Sequence, residues 1–314
     1  MRALVTGGAG FIGSDLVRLL LNEGHSVVVL DDISSGYEEN LHADAVFVRG
    51  DVTDREVVDP AASGCDVVFH LAASVGNTRS IENPVLDSQV NVIGMVNVLE
   101  AARAHAIRRV VFSSSAGIFG ELKTLPIRED HPQDPDSPYG VSKLAAEKMC
   151  LVYNKLHGMS NVCLRYFNVY GVRQRFDAYG NVIPIFAERM LRGRDVVIFG
   201  DGEQTRDFVN VADVARANYL AGTSDSAEGV FNLGSATRVT INELVRMMAE
   251  ISGTAPRVVH GDPRPGDVRD SLAAIDAAAQ ALGFTPSVGL QDGLAVYLDW
   301  LRSDPVTLAR WASE

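Results

Sequence analysis

No stretch of this chain is apolar for long enough to span a bilayer, and its opening, MRALVTGGAGFIG, has neither the extended apolar segment nor the cleavage site of a secretory leader. The expectation is a cytoplasmic protein without a membrane partner. Cysteine is scarce. Cys65, Cys150 and Cys163 are odd in number, lack paired spacing and sit in apolar sequence, which fits buried free thiols in a reducing compartment. The seven histidines are scattered without metal-ligand spacing, so no metal is expected. Positive charge is also short: 28 Lys and Arg against 40 Asp and Glu leave a net charge of -12. Nucleic acid or an anionic membrane would need a broad basic face that this balance does not supply. An anionic small ligand stays compatible if arginines gather locally.

What is present is the make-up of a folded domain. The chain has 314 residues, 46% hydrophobic and 22% charged, enough to bury a sizeable core. Short apolar, β-branched runs (RALVTG, SVVVLDD, AVFVRGD, CDVVFHLAA, RRVVFSSS, NVCLRYFNVYG) alternate with helix-length segments. Alternation of this kind implies parallel strands with crossover helices, and continuous apolar runs imply a sheet buried on both faces. The fold class is therefore α/β, a doubly wound parallel sheet of Rossmann type over residues 1–172. After residue 172 the rhythm loosens into a helix around NVIPIFAERMLRG, short strands at VVIFGDG, RDFVNV and GVFNLGS, and later helices. Residues 173–314 read as a smaller α/β region, mainly for substrate, from which a strand or helix can return to the first.

In the first unit, LVTGGAGFIGSDLVRLLLNEG follows a strand and opens a helix, with glycines at 7, 10 and 13. Glycine permits the tight turn and the approach of backbone to a pyrophosphate, and the helix N-terminus attracts the anion. A plain glycine turn would explain the loop alone. The second strand, however, ends in Asp31 and Asp32, where a carboxylate accepts hydrogen bonds from an adenine ribose and repels the extra phosphate of NADP, so NAD is the expected cofactor.

Residues 137–143, SPYGVSK, open a run of helix formers, LAAEKMCLVYNKLHG. Ser137 reads as the cap, Pro138 as the first helical residue and Gly158 as the stop. Tyr139 and Lys143 then share one face near the positive end of the helix dipole, and both influences favour phenolate over phenol. By itself the pair also fits a surface aromatic beside a solvated charge. Ser113, Ser114 and Ser115 close a strand at the carboxyl edge where ligands bind in such sheets, and a hydroxyl there can steady a substrate oxygen as its proton leaves. Simple strand termination is the competing account. Arg206 in QTRDF and Arg264 in RPGDV suit a diphosphate, or structural salt bridges.

The motifs TGGAGFIG, GDVTD, HLAA, NVIGMVNVLEAA, SSSAGIFG, YGVSK, LRYFNVYG, GDGEQTRDFVNVAD and RPGDV occur in one order over nearly the whole chain. That order resembles the extended short-chain dehydrogenase/reductase family, and within it the nucleotide-sugar 4-epimerases. The resemblance implies a UDP-sugar substrate, bound NAD and catalysis by Tyr139, Lys143 and Ser115. It assigns the cofactor to Gly7, Gly10, Phe11, Ile12, Asp31, Asp32, Ser35, Gly36, Asp51, Val52, Leu71, Ala72, Ala73, Asn91, Ser113, Tyr139, Lys143 and Phe167. It assigns the substrate to Ser115, Tyr139, Asn168, Asn181, Val182, Val197, Phe199, Arg206, Arg264, Asp267 and Ser271. Phe199 would pack on uracil, Asn91 would hold the active-site helix, and the small Ser271 would leave room for an N-acetyl group. Relatives that eliminate water or carbon dioxide carry acidic residues just after the serine. This chain has Ala116 and Gly117, neither able to move a proton, so reversible oxidation at carbon 4 of UDP-glucose or UDP-galactose, or of their N-acetylated pair, is expected. The alternatives are epimerisation of UDP-glucuronate, dehydration or decarboxylation by another member of the family, and a non-catalytic NAD sensor. A homodimer through helices near 86–105 and 138–157 is the family's habit.

Overall fold

The computed structural model describes residues 1–176, 181–263 and 268–313. The apolar runs form strands β1 (Arg2–Thr6), β2 (Ser26–Asp31), β3 (Val46–Arg49), β4 (Val67–His70), β5 (Arg109–Ser115) and β6 (Val162–Tyr166). With β11 (Gly229–Leu233) they make one seven-stranded parallel sheet in the order β11-β6-β5-β4-β1-β2-β3. The continuous runs have a clear cause. Ala3, Val5, Val27, Val29, Val67 and Phe69 enter one core cluster, while the alternate residues Leu4, Val28, Leu30 and Val68 enter the other. Side chains point alternately to the two faces and both faces are covered, so apolar residues run on without alternation and a polar one needs a buried partner.

Helices α1 (Phe11–Asn22), α8 (Val211–Thr223) and α10 (Asp276–Leu282) cover the first face. The second is covered by α2 (Arg55–Ala62), α5 (Gly94–Ala104) and α6 (Pro138–His157). Two short helices, α3 (Asn77–Glu82) and α4 (Pro84–Ser88), precede α5, and a π-helical turn over Gln89–Ile93 joins α4 to it. Strand β11 and helices α8 and α10 are contributed by chain beyond residue 172.

A third cluster gathers α7 (Val182–Leu191), α9 (Ile241–Ser252) and α11 (Leu290–Ser303), with α12 (Pro305–Ser313) beside them. Its strands are short and paired in twos: β7 (Asn168–Tyr170) with β10 (Phe208–Asn210), β8 (Val196–Phe199) with β13 (Val258–Gly261), and β9 (Thr205–Arg206) with β12 (Val239–Thr240). Two apolar runs that read as single strands are broken. NVCLRYFNVYG splits at Phe167, whose backbone N–H donates to Leu233 as the ring enters a small cluster with Ile118, Phe119, Ile127 and Ala273. RDFVNV splits at Asp207, a fully buried carboxylate that accepts from Ser235 and Ala273. Among the described residues no helix is long and apolar enough to cross a membrane, and no group of three or more His, Cys, Asp or Glu could hold a metal ion. The three cysteines are free and buried.

Candidate active site

All six leading strands end at the same edge of the sheet, and the order reverses between β1 and β4, which is where a doubly wound sheet opens its ligand crevice. On one side of the reversal lies the glycine loop. Gly7 has φ 73°, and a Cβ there would lie 2.6 Å from the Ala72 nitrogen; one on Gly13 would lie 2.1 Å from the Gly7 oxygen. No side chain caps α1, so its first amides face the loop. This cradle, bare of side chains and set at a helix N-terminus, fits a dinucleotide diphosphate.

The other expected cofactor residues surround it. Asp31 is buried; its carboxylate accepts from the backbone of Ala9 at 2.9 Å and of Ile33 at 2.8 Å, which braces the glycine loop, and burial raises its pKa. Asp32, exposed at the strand end, accepts from the Ser34 amide and hydroxyl. Gly36 packs on the backbone of Ala9, and the exposed Ser35 precedes it. Leu71, Ala72 and Ala73 continue from β4, half-buried, with Leu71 and Ala72 bonded to Thr6. Asp51 is exposed beyond β3, with Val52 buried against Gly94. Phe11 and Ile12 start α1.

On the other side, helix α6 forms with the ends expected of it. The Ser137 hydroxyl accepts from Gly140 at 3.1 Å, Pro138 is the first helical residue, and Gly158 ends the helix with φ 65°. Gly140, a poor residue for a helix interior, is needed there because a Cβ would lie 2.4 Å from the Gly117 oxygen. Its absence of a side chain lets Tyr139 approach the turn that carries Ser115. The Ser115 hydroxyl accepts from the Gly117 amide at 3.1 Å and lies beside the Tyr139 ring, and the Lys143 ammonium donates to the Ser113 carbonyl at 2.6 Å. Asn91, in the π-helical turn, donates to Ser142 at 2.9 Å, to the Ser74 carbonyl at 3.0 Å and to Asp87 at 3.1 Å, tying α6 to the loop after β4.

One expectation needs correction. The protein's own groups do not leave Tyr139 ionised. Burial is the largest influence and pushes the phenol up to about 12, with Asp87 pushing the same way and only the Ser115 hydrogen bond opposing. Lys143, 2% exposed, is pushed down by burial to about 7 while Asp87 holds it up. An ammonium that has left water carries its own penalty, and its proton is directed to a carbonyl.

The described substrate residues stand mostly on the short paired strands and the turns beside them. Asn168 donates to the Asp207 carbonyl at 3.3 Å, next to Arg206; Asn181, the residue before Val182 and α7, donates to Val169 at 3.5 Å. The Phe199 carbonyl accepts from Gln204 at 2.8 Å, and its ring is 37% exposed at the end of β8, two residues after the half-buried Val197. Arg206 is half-buried, and Ser271 is buried two residues before Ala273. Arg264 and Asp267 lie outside the described residues. Reading the sequence missed Asp87, Asp207, His70 and Glu147. His70 is fully buried, bonded through Nδ1 to Thr6 at 2.7 Å, and held neutral by burial down to about pH 3.

A doubly wound sheet with a bare dinucleotide cradle, facing a strand-end serine and, on one helix, a tyrosine and a lysine, defines a nucleotide-cofactor oxidoreductase scaffold. Residues 3–234 match the model of the NAD dependent epimerase/dehydratase family. The chain belongs to that family. It is 40% identical over 310 residues to a UDP-glucose 4-epimerase of Mycolicibacterium smegmatis, covering 96% of this chain and 99% of the relative. The UDP-glucose 4-epimerase of Thermotoga maritima, solved with UDP-glucose, superposes with a TM-score of 0.93 at 39% identity, over 96% of this chain and 99% of that one. A UDP-glucose 4-epimerase of Thermus thermophilus in complex with NAD gives a TM-score of 0.89 at 41% identity, over 97% and 100%.

Proposed function

We propose that this chain epimerises a UDP-hexose at carbon 4, using resident NAD. The observation that carries the reading is Ser115 lying beside Tyr139, on the helix that also carries the buried Lys143, followed by Ala116 and Gly117, which have no group to move a second proton. NAD supplies the hydride acceptor and donor, together with a positive charge in its oxidised form. The glycine cradle and Asp31 hold the adenosine diphosphate half. Tyr139, ionised once the positive charge of oxidised NAD stands beside it, would take the proton from the 4-hydroxyl and later return it; Ser115 donates to the phenolate before that transfer; Lys143 adds positive charge and holds the nicotinamide ribose. With neither Ala116 nor Gly117 able to abstract a further proton, the 4-keto sugar has only reduction open to it. Arg206 and Asn168 grip the diphosphate and Phe199 stacks on uracil, leaving the hexose free to turn between the two half-reactions.

Relatives' names support the UDP-glucose series, and the buried, small Ser271 also admits an N-acetylated sugar. The test is incubation of purified protein with UDP-galactose, UDP-N-acetylglucosamine and UDP-glucuronate separately, with chromatographic resolution of the epimers. Inversion of one pair is expected, and inversion of none rejects the reading. We further infer a cytoplasmic homodimer: Val85, Leu86 and Ile93 are exposed on one flank, and Val141, Met149, Val152 and Leu156 are exposed along α6. Sedimentation at micromolar concentration should return twice the chain mass.

A further inference from the structure

Strand β5 ends in three consecutive serines, and each meets a different turn of α6. Ser115 lies beside Tyr139, the Ser113 carbonyl accepts from Lys143, and the Ser114 hydroxyl donates to Glu147 at 2.7 Å. Tyr139, Lys143 and Glu147 are spaced four apart, so they line one face of the helix. Only the third rung has no part in the chemistry described so far.

That rung is elaborate. Glu147 is fully buried and accepts a two-pronged ion pair from Arg165, Nε at 2.9 Å and Nη2 at 2.7 Å. Arg165 is itself 1% exposed; it donates to the Glu129 carbonyl at 2.8 Å and stacks 5.1 Å over the Phe119 ring. In the β5–β6 register Ser114 and Arg165 are direct partners, so their side chains share the sheet face against which α6 packs. Every strong polar atom of the cluster is satisfied from three elements, and each bond has a direction. A buried pair of this kind adds little net stability over apolar packing, and its best-attested use is to fix a register.

We propose that Ser114, Glu147 and Arg165 are positioning residues: they lock α6 against the end of β5 at the one height where the Tyr139 phenol meets Ser115 and the Lys143 ammonium meets Ser113. This rests on the epimerase reading for its kinetic consequence. The cluster touches neither cofactor nor substrate residue directly except through those two rungs. Sliding α6 along β5 would leave two full charges unpaired in the core, so the helix has a single position rather than a range.

The experiment compares the NAD-loaded wild type with Ser114→Ala and Ser114→Thr, each a change of one small group that leaves the ion pair in place. Turnover, KM, melting temperature and the phenolate absorbance titration of Tyr139, taken as the difference from Tyr139→Phe, are measured for each. In Ser114→Ala, kcat should fall about tenfold, as a misplaced base costs rate rather than affinity, with KM and melting temperature nearly unchanged. The Tyr139 titration midpoint should rise as the phenol draws away from Ser115, and Ser114→Thr, which keeps the hydroxyl, should restore most of the rate. A shifted titration in a protein inactive on every UDP-sugar would uphold the positioning and refute the epimerase reading. An unchanged titration, with kcat unaltered or falling only in step with melting temperature, would overturn the positioning while leaving the epimerase reading intact.

Discussion

The two sides of the crevice are built differently. On the cofactor side, every reacting group stands on an element of one seven-stranded sheet or on helix α6 packed against it, and Lys143, Ser113 and Asn91 are buried and directionally bonded. On the substrate side, Asn168, Phe199 and Arg206 stand on strands of two to four residues paired only in twos, and Phe199 is over one-third exposed. A proton must move between fixed atoms, whereas a keto-sugar must turn between the oxidation that forms it and the reduction that consumes it. In the proposed reaction the rigid side holds the chemistry, and the substrate side would grip the nucleotide at points far from the reacting carbon.

This contrast predicts rate effects on one side and affinity effects on the other. The largest belongs to Tyr139→Phe, which removes the proposed base beside Ser115 and should lower kcat by about a thousandfold or more, with NAD still bound. Absorbance of the purified variant reports the cofactor and the epimer assay reports the rate; full activity would place the base elsewhere. Next is Arg206→Ala. The loss of a charge-assisted contact to the diphosphate should raise KM by about ten- to a hundredfold, with kcat changed far less. A fall in kcat as large as the rise in KM would mean that this side is as rigidly coupled to the chemistry as the other. Phe199→Ala, losing one stacking contact worth about 1 kcal/mol, should raise KM about fivefold.

The same contrast separates what the sequence reveals from what it does not. The strands of the sheet announce themselves because burial on both faces forces continuous apolar runs, and α6 carries its own signals in Ser137, Pro138 and Gly158. Tyr139 and Lys143 are legible because their spacing is local. Glu147 has the same spacing again, yet nothing local says that it faces Ser114 and Arg165, since that depends on the register between β5 and β6. Asp207 and Phe167 interrupt runs that read as unbroken, because what they bond to, Ser235 and Leu233, is distant in sequence. The burial that pushes the Tyr139 phenol up is illegible for a related reason: the spacing is local, whereas burial is a property of the whole fold.

The smallest effect expected concerns pH, and it tests how dry the rigid side is. His70 closes β4 with its ring fully buried, stacked on Phe112 at 5.8 Å, and the Lys143 ammonium lies 4.8 Å over the other aromatic of that stack. Burial first, and the charge of Lys143 second, depress its pKa to about 3. An unfolded chain protonates this histidine as pH drops below about 6.5, while the folded protein stays neutral there until about pH 3. Protons are then bound more strongly by the unfolded state across that window, so His70 makes stability fall as pH drops from about 6.5 toward 3. His70→Gln keeps a polar partner for Thr6 but does not titrate. Its melting temperature should decline less steeply over pH 6.5 to 4 than that of the wild type, by a few degrees across the window. Parallel slopes for the two proteins would mean that water reaches the end of β4, and the description of the cofactor side as the sealed half of the crevice would fail with it.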